Sequence, residues 1–353
     1  MEVNHDYYMS IAIKEAQKAL GKTFPNPLVG AVIVRNGEVI AKDYHRAAGQ
    51  DHAERALLNR IQVNENDILY VTLEPCCHQG KTPACTDIIL QQGLKKVVIG
   101  MLDPNPLVAG KGIEILKSAG VEVICGVKEK ECRDLNRPFI KNILHSKAYI
   151  SLKFAQTLDG YIADVNGHSK WITSEASREL VHLQRRSCDC LIIGAGTVNI
   201  DDPSLTTRIS GQMSSQSLIV IDPKAIINLS SRCFELNSDK THYLFSPRRP
   251  EKLPDNLKWV QFKGFENFDR QIWSLGFFHA LVEGGAHIHA QLLQASVVDR
   301  IWSYTAPKIL GGARNHLKNM RSLDIDSLAN CLNLRLNHVQ SFDADIYAEY
   351  LLN

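Results

Sequence analysis

Short apolar runs alternate with amphipathic stretches along the first half of the chain, a rhythm that predicts strand and helix in turn. LVGAVIV (Leu28 to Val34) and EVIAK (Glu38 to Lys42) read as the arms of a hairpin turned at Asn36-Gly37. A helix is expected from His52, and a strand over DILYVTL (Asp67 to Leu73). PACTDIILQQG (Pro83 to Gly93) predicts a helix with Pro near its first turn and Gly past its end. KVVIGM (Lys96 to Met101), a helix over roughly Gly110 to Ser118, and VEVICGV (Val121 to Val127) complete an α/β pattern. The N-terminal MEVNHDYYMSIAIKEAQKALG reads as an amphipathic helix capped near Asp6, not as a signal peptide.

The pattern restarts after Leu144 to Lys147, with no Pro/Gly/Ser-rich linker at the break. YISLKFA (Tyr149 to Ala155) predicts a strand and Glu175 to Arg186 a helix. CLIIG (Cys190 to Gly194) and SLIVID (Ser217 to Asp222) predict further strands. HALVEGG (His279 to Gly285) leads from strand into the helix AHIHAQLLQ. RIWSYTA (Arg300 to Ala306) and DADIYAEYLL look like closing strands. At 353 residues the chain is too long for one ordinary core, so two α/β domains are expected, 1–146 and 147–353.

Composition changes this picture little. Hydrophobic and charged contents of 44% and 22% are globular values. With 40 basic and 38 acidic residues the net charge is +2, which argues against a nucleic-acid coat or a membrane-surface role. No apolar run approaches the length of a membrane span. Nine cysteines, an odd count without an export signal, fit free or metal-bound thiols in a reducing cytoplasm.

Candidate chemistry begins at two strand-to-helix junctions. In Gln50-Asp51-His52-Ala53-Glu54, Asp51 is a plausible N-cap that puts His52 and Glu54 in a first turn. In TLEPCCHQGKTPAC, Thr82 is a plausible cap that puts Cys85 in a first turn, where the helix dipole favours thiolate. One His and two Cys leave the fourth tetrahedral position open, the arrangement of a catalytic zinc. Such an ion lowers the pKa of its water to about 7, and Glu54 is placed to carry the water's proton to a leaving amine. H-x-E with Pro-Cys is the signature of zinc nucleobase deaminases, although their cysteines are normally two residues apart. Asp51-x-x-Glu54 is equally a capping box. Cys77 reads as packing, and His78 as crowded by its neighbours.

In the second half, CLIIGAGTVN offers a partial G-x-G-x-x-G with Asn199 at the third position and a mid-domain location, so a Rossmann turn is rejected. Glu283-Gly284-Gly285-Ala286, where a strand enters a helix, is the better phosphate cradle, with a simple tight turn as its rival. Cys188 and Cys190 read as packing. His287 and His289 read as structural or surface residues.

TFPNPLVGAVIV, HAE, TLEPCCHQGKTPAC and MLDPNPLVAGKGIEILKSAG resemble the deaminase half of the bifunctional riboflavin-biosynthesis deaminase/reductases. LKFAQTLDGYIA, WITS, GAGTVNIDDPSLTTR and LVEGGAHIHAQLL resemble the reductase half. In that family a long G-x-T-P loop separates the two cysteines. This chain departs from its usual TPPC at Ala84 and has Cys77 where a non-Cys residue is common. The resemblance implies a cytidine-deaminase-like three-layer α/β/α domain followed by a dihydrofolate-reductase-like α/β domain. It implies zinc-dependent hydrolytic deamination of a pyrimidinone ribosyl phosphate, then NADPH-dependent reduction of the ribosyl group by hydride delivery to C1′.

By position, His52, Cys76 and Cys85 would hold zinc and Glu54 would carry protons. Asn26, His45, Lys81, Asp103 and Asn105 would meet the deaminase substrate. Ala155, Trp171, Thr197, Asp201 and Gly285 would line NADPH. Ser169, Arg185, Leu205, Arg208 and Glu283 would line the second substrate, with Arg185 and Arg208 as cations for its phosphate. On a bland reading Arg185 is a solvated charge. Lys153 and Asp202 receive no role. A cytoplasmic homo-oligomer acting on a small molecule is expected. A generic nucleobase deaminase fused to an unrelated reductase is one alternative. An RNA-editing protein is another, disfavoured by the balanced charge.

Overall fold

The computed structural model describes residues 4–78, 83–106, 108–311, 320 and 323–352. Lys81 and Thr82 lie outside them. The chain separates into two compact units, Met1–Ser146 and Lys147–Asn353.

Among the described residues the first unit is built on five strands: β1 (Gly30–Arg35), β2 (Glu38–Tyr44), β3 (Ile68–Leu73), β4 (Lys96–Met101) and β5 (Glu122–Cys125). Their order is β2-β1-β3-β4-β5. β1 runs antiparallel to both neighbours, and β3, β4 and β5 run parallel. The β1–β2 turn is made at Asn36 and Gly37, both with positive φ, the conformation the Asn-Gly pair predicts. Around the sheet lie α1 (His5–Gln17), α2 (Ala53–Leu58), α3 (Cys85–Gln91), α4 (Lys111–Ser118), α5 (Glu129–Leu135) and α6 (Arg137–His145). α1 packs on β1, β2 and β3 and meets α5; α2 meets α3, and α3 meets α4. Gly30 permits the close seat of α1, since a Cβ there would stand 2.0 Å from the Ala12 carbonyl oxygen. α1 starts earlier than expected: Asn4, not Asp6, is its cap, with Oδ1 accepting from Tyr7 N at 3.0 Å.

The second unit carries β6 (Tyr149–Thr157), β7 (Cys190–Gly194), β8 (Thr207–Ile209), β9 (Gln212–Ser214), β10 (Ser217–Ile221), β11 (His242–Ser246), β12 (Leu257–Gln261), β13 (His279–Glu283), β14 (Arg300–Ala306), β15 (Arg335–Phe342) and β16 (Asp345–Leu351). All but β8 and β9 form one sheet, ordered β12-β11-β10-β7-β13-β6-β14-β16-β15. It is parallel from β12 to β14 and closes with two antiparallel pairs. The central strands are buried on both sides, which is why they read as continuous apolar runs. The helices are α7 (Glu175–Arg186), α8 (Ala195–Asp201), α9 (Arg232–Leu236), α10 (Phe268–Ser274) and α11 (Ala286–Gln294). β7 passes straight into α8 and β13 into α11, so both hand-overs open at the carboxyl ends of adjacent strands, where α/β sheets bind ligands.

Candidate active sites

In the first unit, β3 ends at Leu73 and the chain reaches Cys76 within three residues, while Cys85 opens α3. Cys85 N donates to the Cys76 carbonyl at 3.0 Å and to its sulfur at 3.3 Å, which brings the two cysteines together. From α2, the Arg55 guanidinium donates to the Ala84 carbonyl at 3.1 Å and ties the two helix starts together. His52 Nδ1 then lies 3.5 Å from Cys76 Sγ and 3.4 Å from Cys85 Sγ, with all three ligand atoms within 4.8 Å of one another. A tetrahedral zinc at ordinary bond lengths separates sulfur from nitrogen by roughly 3.5 Å, so the donor set and its spacing fit that ion.

The capping reading of this turn is not realised. His52, not Asp51, is the N-cap of α2, in extended backbone and without a side-chain cap bond. The Asp51 carbonyl is instead bound by His45. Glu54 is buried, and its carboxyl is pushed up to about 7, first by burial and then by the Cys76 thiolate. Without metal, Cys76 is pushed down, chiefly by the Cys85 thiol that donates to it and also by His52. The same bond, with burial, pushes Cys85 up. Cys77 is half-buried rather than packed in the core, and its sulfur is outside the cluster; His78 is exposed.

His45 is buried and held below its ordinary pKa chiefly by burial, hence neutral. Its Nδ1 donates to the Asp51 carbonyl at 3.0 Å, which leaves Nε2 to accept from Asn26 Nδ2 at 3.0 Å. That bond orients the Asn26 amide. The His45 ring stands edge-on to His52, centroids 5.4 Å apart. Asp103 and Asn105 follow β4, with Asn105 N donating to Asp103 Oδ1 at 2.8 Å. Burial raises the Asp103 carboxyl, with Glu74 and Cys76 contributing to the rise.

The second unit opens a cavity of about 460 Å³ at the ends of β6, β7 and β13. Ala155, Thr197, Asp201 and Gly285 line it, as do Ser169, Arg185, Leu205 and Glu283. Gly284 and Gly285 hold φ of 116° and 85°. A Cβ on Gly284 would stand 3.2 Å from Thr197 Cγ2, and both residues hold φ values that favour glycine. A smaller cavity of about 200 Å³ adjoins it, sharing Thr197 and Gly285 and adding Lys224 and His287. The Gly-Gly turn entering α11 and the joined cavities fit a nicotinamide dinucleotide.

Arg185 is no solvated charge. Its Nε and Nη2 donate to the two Glu283 oxygens at 2.5 and 2.8 Å, and Nη1 donates to the Thr206 carbonyl at 2.7 Å. Burial would raise Glu283, but the guanidinium overrides it and holds the carboxylate below its ordinary range. Lys153, left without a role by the sequence, lines the same cavity, and burial lowers its pKa. His289, read as structural or surface, is buried, lines the cavity and accepts from Gly284 N at 3.4 Å. His287 is exposed.

Two residues implied by the resemblance stand outside the cavity lining. Trp171 is 64% exposed, stacked under the Arg178 guanidinium at 4.4 Å. Arg208 is exposed and donates to Ser204 Oγ at 2.9 Å. Asp202 ends α8 with positive φ and accepts from Arg232 N at 2.9 Å, a turn role. Cys188 and Cys190 are buried, as packing requires.

Residues 148–348 match the RibD C-terminal domain family, and residues 2–101 match the cytidine and deoxycytidylate deaminase zinc-binding region. The chain is 40% identical over 347 residues to the riboflavin biosynthesis protein RibD of Aquifex aeolicus (strain VF5), covering 96% of both. It is 34% identical over 360 residues to the RibD of Escherichia coli (strain K12), covering 97% of both. Among solved structures it is similar to Acinetobacter baumannii RibD, with a TM-score of 0.88, 33% identity and 100% of both chains covered. It is likewise similar to a diaminohydroxyphosphoribosylaminopyrimidine deaminase/5-amino-6-(5-phosphoribosylamino)uracil reductase of Thermotoga maritima, with a TM-score of 0.90, 33% identity and 99% of both covered.

Proposed function

Because this chain belongs to the RibD family of bifunctional riboflavin-biosynthesis deaminase/reductases, we propose that each unit carries one of the two reactions on the side chains described above. The enzyme uses zinc and NADPH. It deaminates 2,5-diamino-6-ribosylamino-4(3H)-pyrimidinone 5′-phosphate and then reduces the ribosyl group to ribityl. The product is 5-amino-6-ribitylamino-uracil 5′-phosphate.

In the first unit, His52, Cys76 and Cys85 hold the zinc, which when bound acidifies the attacking water. Glu54 takes a proton from that water and returns it to the departing amine, so water and substrate become the carbonyl product and ammonia. Asn26, oriented by neutral His45, presents its amide oxygen to a substrate N–H. Asp103 and Asn105 supply further polar contacts, with Lys81, outside the described residues, as the cation of the connecting loop.

In the second unit the Gly284-Gly285 turn receives the dinucleotide, and Ala155, Thr197 and Asp201 line it. NADPH supplies the hydride for C1′. Glu283, held by Arg185, faces the sugar together with Ser169 and Leu205. The ring oxygen released as the sugar opens needs a proton, and Lys153, its pKa lowered by burial, is placed to give one. From their exposed positions Trp171 meets the NADPH and Arg208 the substrate phosphate. The enzyme works in the cytoplasm as a homo-oligomer on a small phosphorylated substrate, without nucleic acid; light scattering on the purified protein tests the assembly. No helix among the described residues is long and apolar enough to cross a membrane.

The observation that carries the reading is the His52, Cys76 and Cys85 cluster beside a buried Glu54. The test is to incubate the protein with the diaminopyrimidinone ribosyl phosphate, with and without NADPH, following ammonia and NADPH oxidation separately. Ammonia without NADPH, and oxidation only after deamination, is expected. Tight RNA binding with a steep salt slope, and no turnover, would overturn it.

A further inference from the structure

Glu74 is the residue between the end of β3 and the Pro75-Cys76 step that carries a metal-ligating sulfur. Its side chain is buried, 3% exposed, at a position where a carboxylate needs partners. Four backbone amides supply them. Oε2 accepts from Asp103 N at 3.2 Å and from Gly110 N at 3.0 Å. Oε1 accepts from Gly112 N at 3.0 Å and from Ile113 N at 3.4 Å. These donors stand at the two ends of one segment, the connection from β4 to α4, and the last two lie in the first turn of α4, where the helix favours negative charge.

The backbone is shaped around this contact. Glu74 N donates to the Met101 carbonyl at 2.9 Å, holding the two strand ends level. Gly110 adopts φ of 80°, and a Cβ on Gly112 would stand 2.2 Å from the Pro75 carbonyl oxygen. The connection therefore lies directly on the Glu74-Pro75 backbone. Inside it are Asp103 and Asn105, folded on themselves by Asn105 N to Asp103 Oδ1 and by Val108 N and Ala109 N to the Asn105 carbonyl, both at 2.9 Å.

We propose that Glu74 is a positioning residue for deamination: its carboxylate, by binding both ends of the 103–113 connection, sets Asp103 and Asn105 in register with the cluster that Cys76 belongs to. This rests on the reading that the first unit deaminates. Glu74 touches neither substrate nor metal, and acts through the connection it grips. Loss of the grip displaces substrate contacts while leaving His52, Glu54, Cys76 and Cys85 in place, so binding suffers before chemistry.

The test is steady-state ammonia release by Glu74→Gln and Glu74→Asp in the full chain, with zinc content and NADPH oxidation on the deaminated substrate measured alongside. Gln removes the charge and puts an N–H against amides; Asp keeps the charge one methylene short and serves if the Gln variant does not fold. The expected result is a KM raised about tenfold or more with kcat nearly unchanged, and full zinc and reductase activity. A double-mutant cycle with Asn105→Ala separates positioning from general damage. If Glu74 acts through this segment, the combined variant has a KM below the product of the two single effects, because the Asn105 share of the Glu74 penalty is already gone. An unchanged KM in the Glu74 variants, loss of zinc, or penalties that simply multiply would overturn the proposal. Wild-type protein that releases no ammonia would instead count against the deaminase reading itself.

Discussion

Glu283→Gln isolates the charge that the second unit buries beneath its cavity. The two side chains are 14% exposed at Arg185 and 10% at Glu283, and their two bonds of 2.5 and 2.8 Å are those of a bidentate pair. The substitution keeps the shape and leaves the guanidinium with only one neutral oxygen in place of two charged ones. Breaking one side of a buried pair costs about 3–5 kcal/mol, because the surviving charge is stranded. Thr206 still accepts from Nη1, and the Gln oxygen keeps one contact, so a loss of about 3 kcal/mol is expected. In a domain of this size that lowers the midpoint by roughly 6–12 °C. Calorimetry of the full chain reads it, on the transition that NADPH raises. Arg185→Met should cost at least as much, and Arg185→Met with Glu283→Leu less than the sum, since no charge is left stranded. A shift below about 2 °C for Glu283→Gln, or a strictly additive double variant, would refute the argument.

Other perturbations test other parts. The fold holds His279 neutral and buried against Ser151, with its pKa lowered to about 3 by burial. Its stabilising contribution is therefore whole above the ordinary pKa of 6.5 and drains away as pH falls from there toward 3. Moving from pH 7 to pH 5 should cost about 2 kcal/mol through this group, seen as a melting slope that His279→Gln flattens. Gly284→Ala forces a side chain into φ of 116° and against Thr197. It should raise the KM for NADPH about tenfold and leave ammonia release untouched. Cys77→Ser should keep full zinc and near-normal deamination; large metal loss would show that the wrong sulfur of the adjacent pair had been assigned.

Wherever periodicity and turn chemistry agreed, the sequence was legible. The hairpin at Asn36-Gly37, the buried strands of the first unit and the hand-over from β13 to α11 all carry their signals locally. The cluster of His52, Cys76 and Cys85 was legible because His52 and Cys85 sit at helix starts and Cys76 follows a strand end, each beside a recognisable motif. What was missed depends on distant partners. Arg185 reads as a helix-face charge until Glu283, 98 positions away, takes two of its three guanidinium nitrogens. Glu74 looks like a neighbour of the Pro-Cys step until four amides from the next crossover converge on it. α8 was hidden because glycines at its start imitate a nucleotide-binding turn. Asp51 looked like a cap because spacing alone cannot show that its carbonyl serves His45. β11 and β12 were missed because HYLFS is bounded by His and Ser and LKWVQ carries Lys and Gln, so neither reads as a continuous apolar run.

The central claim is that two chemistries sit in separable sites, with Glu54 moving the protons of the first. Glu54→Gln tests it most directly, by measuring ammonia release, zinc content and NADPH oxidation on the deaminated substrate in one preparation. Ammonia release should fall by about 10²–10⁴-fold while one zinc per chain and the reductase activity remain. Ammonia release near the wild-type rate, or loss of zinc from the variant, would contradict it.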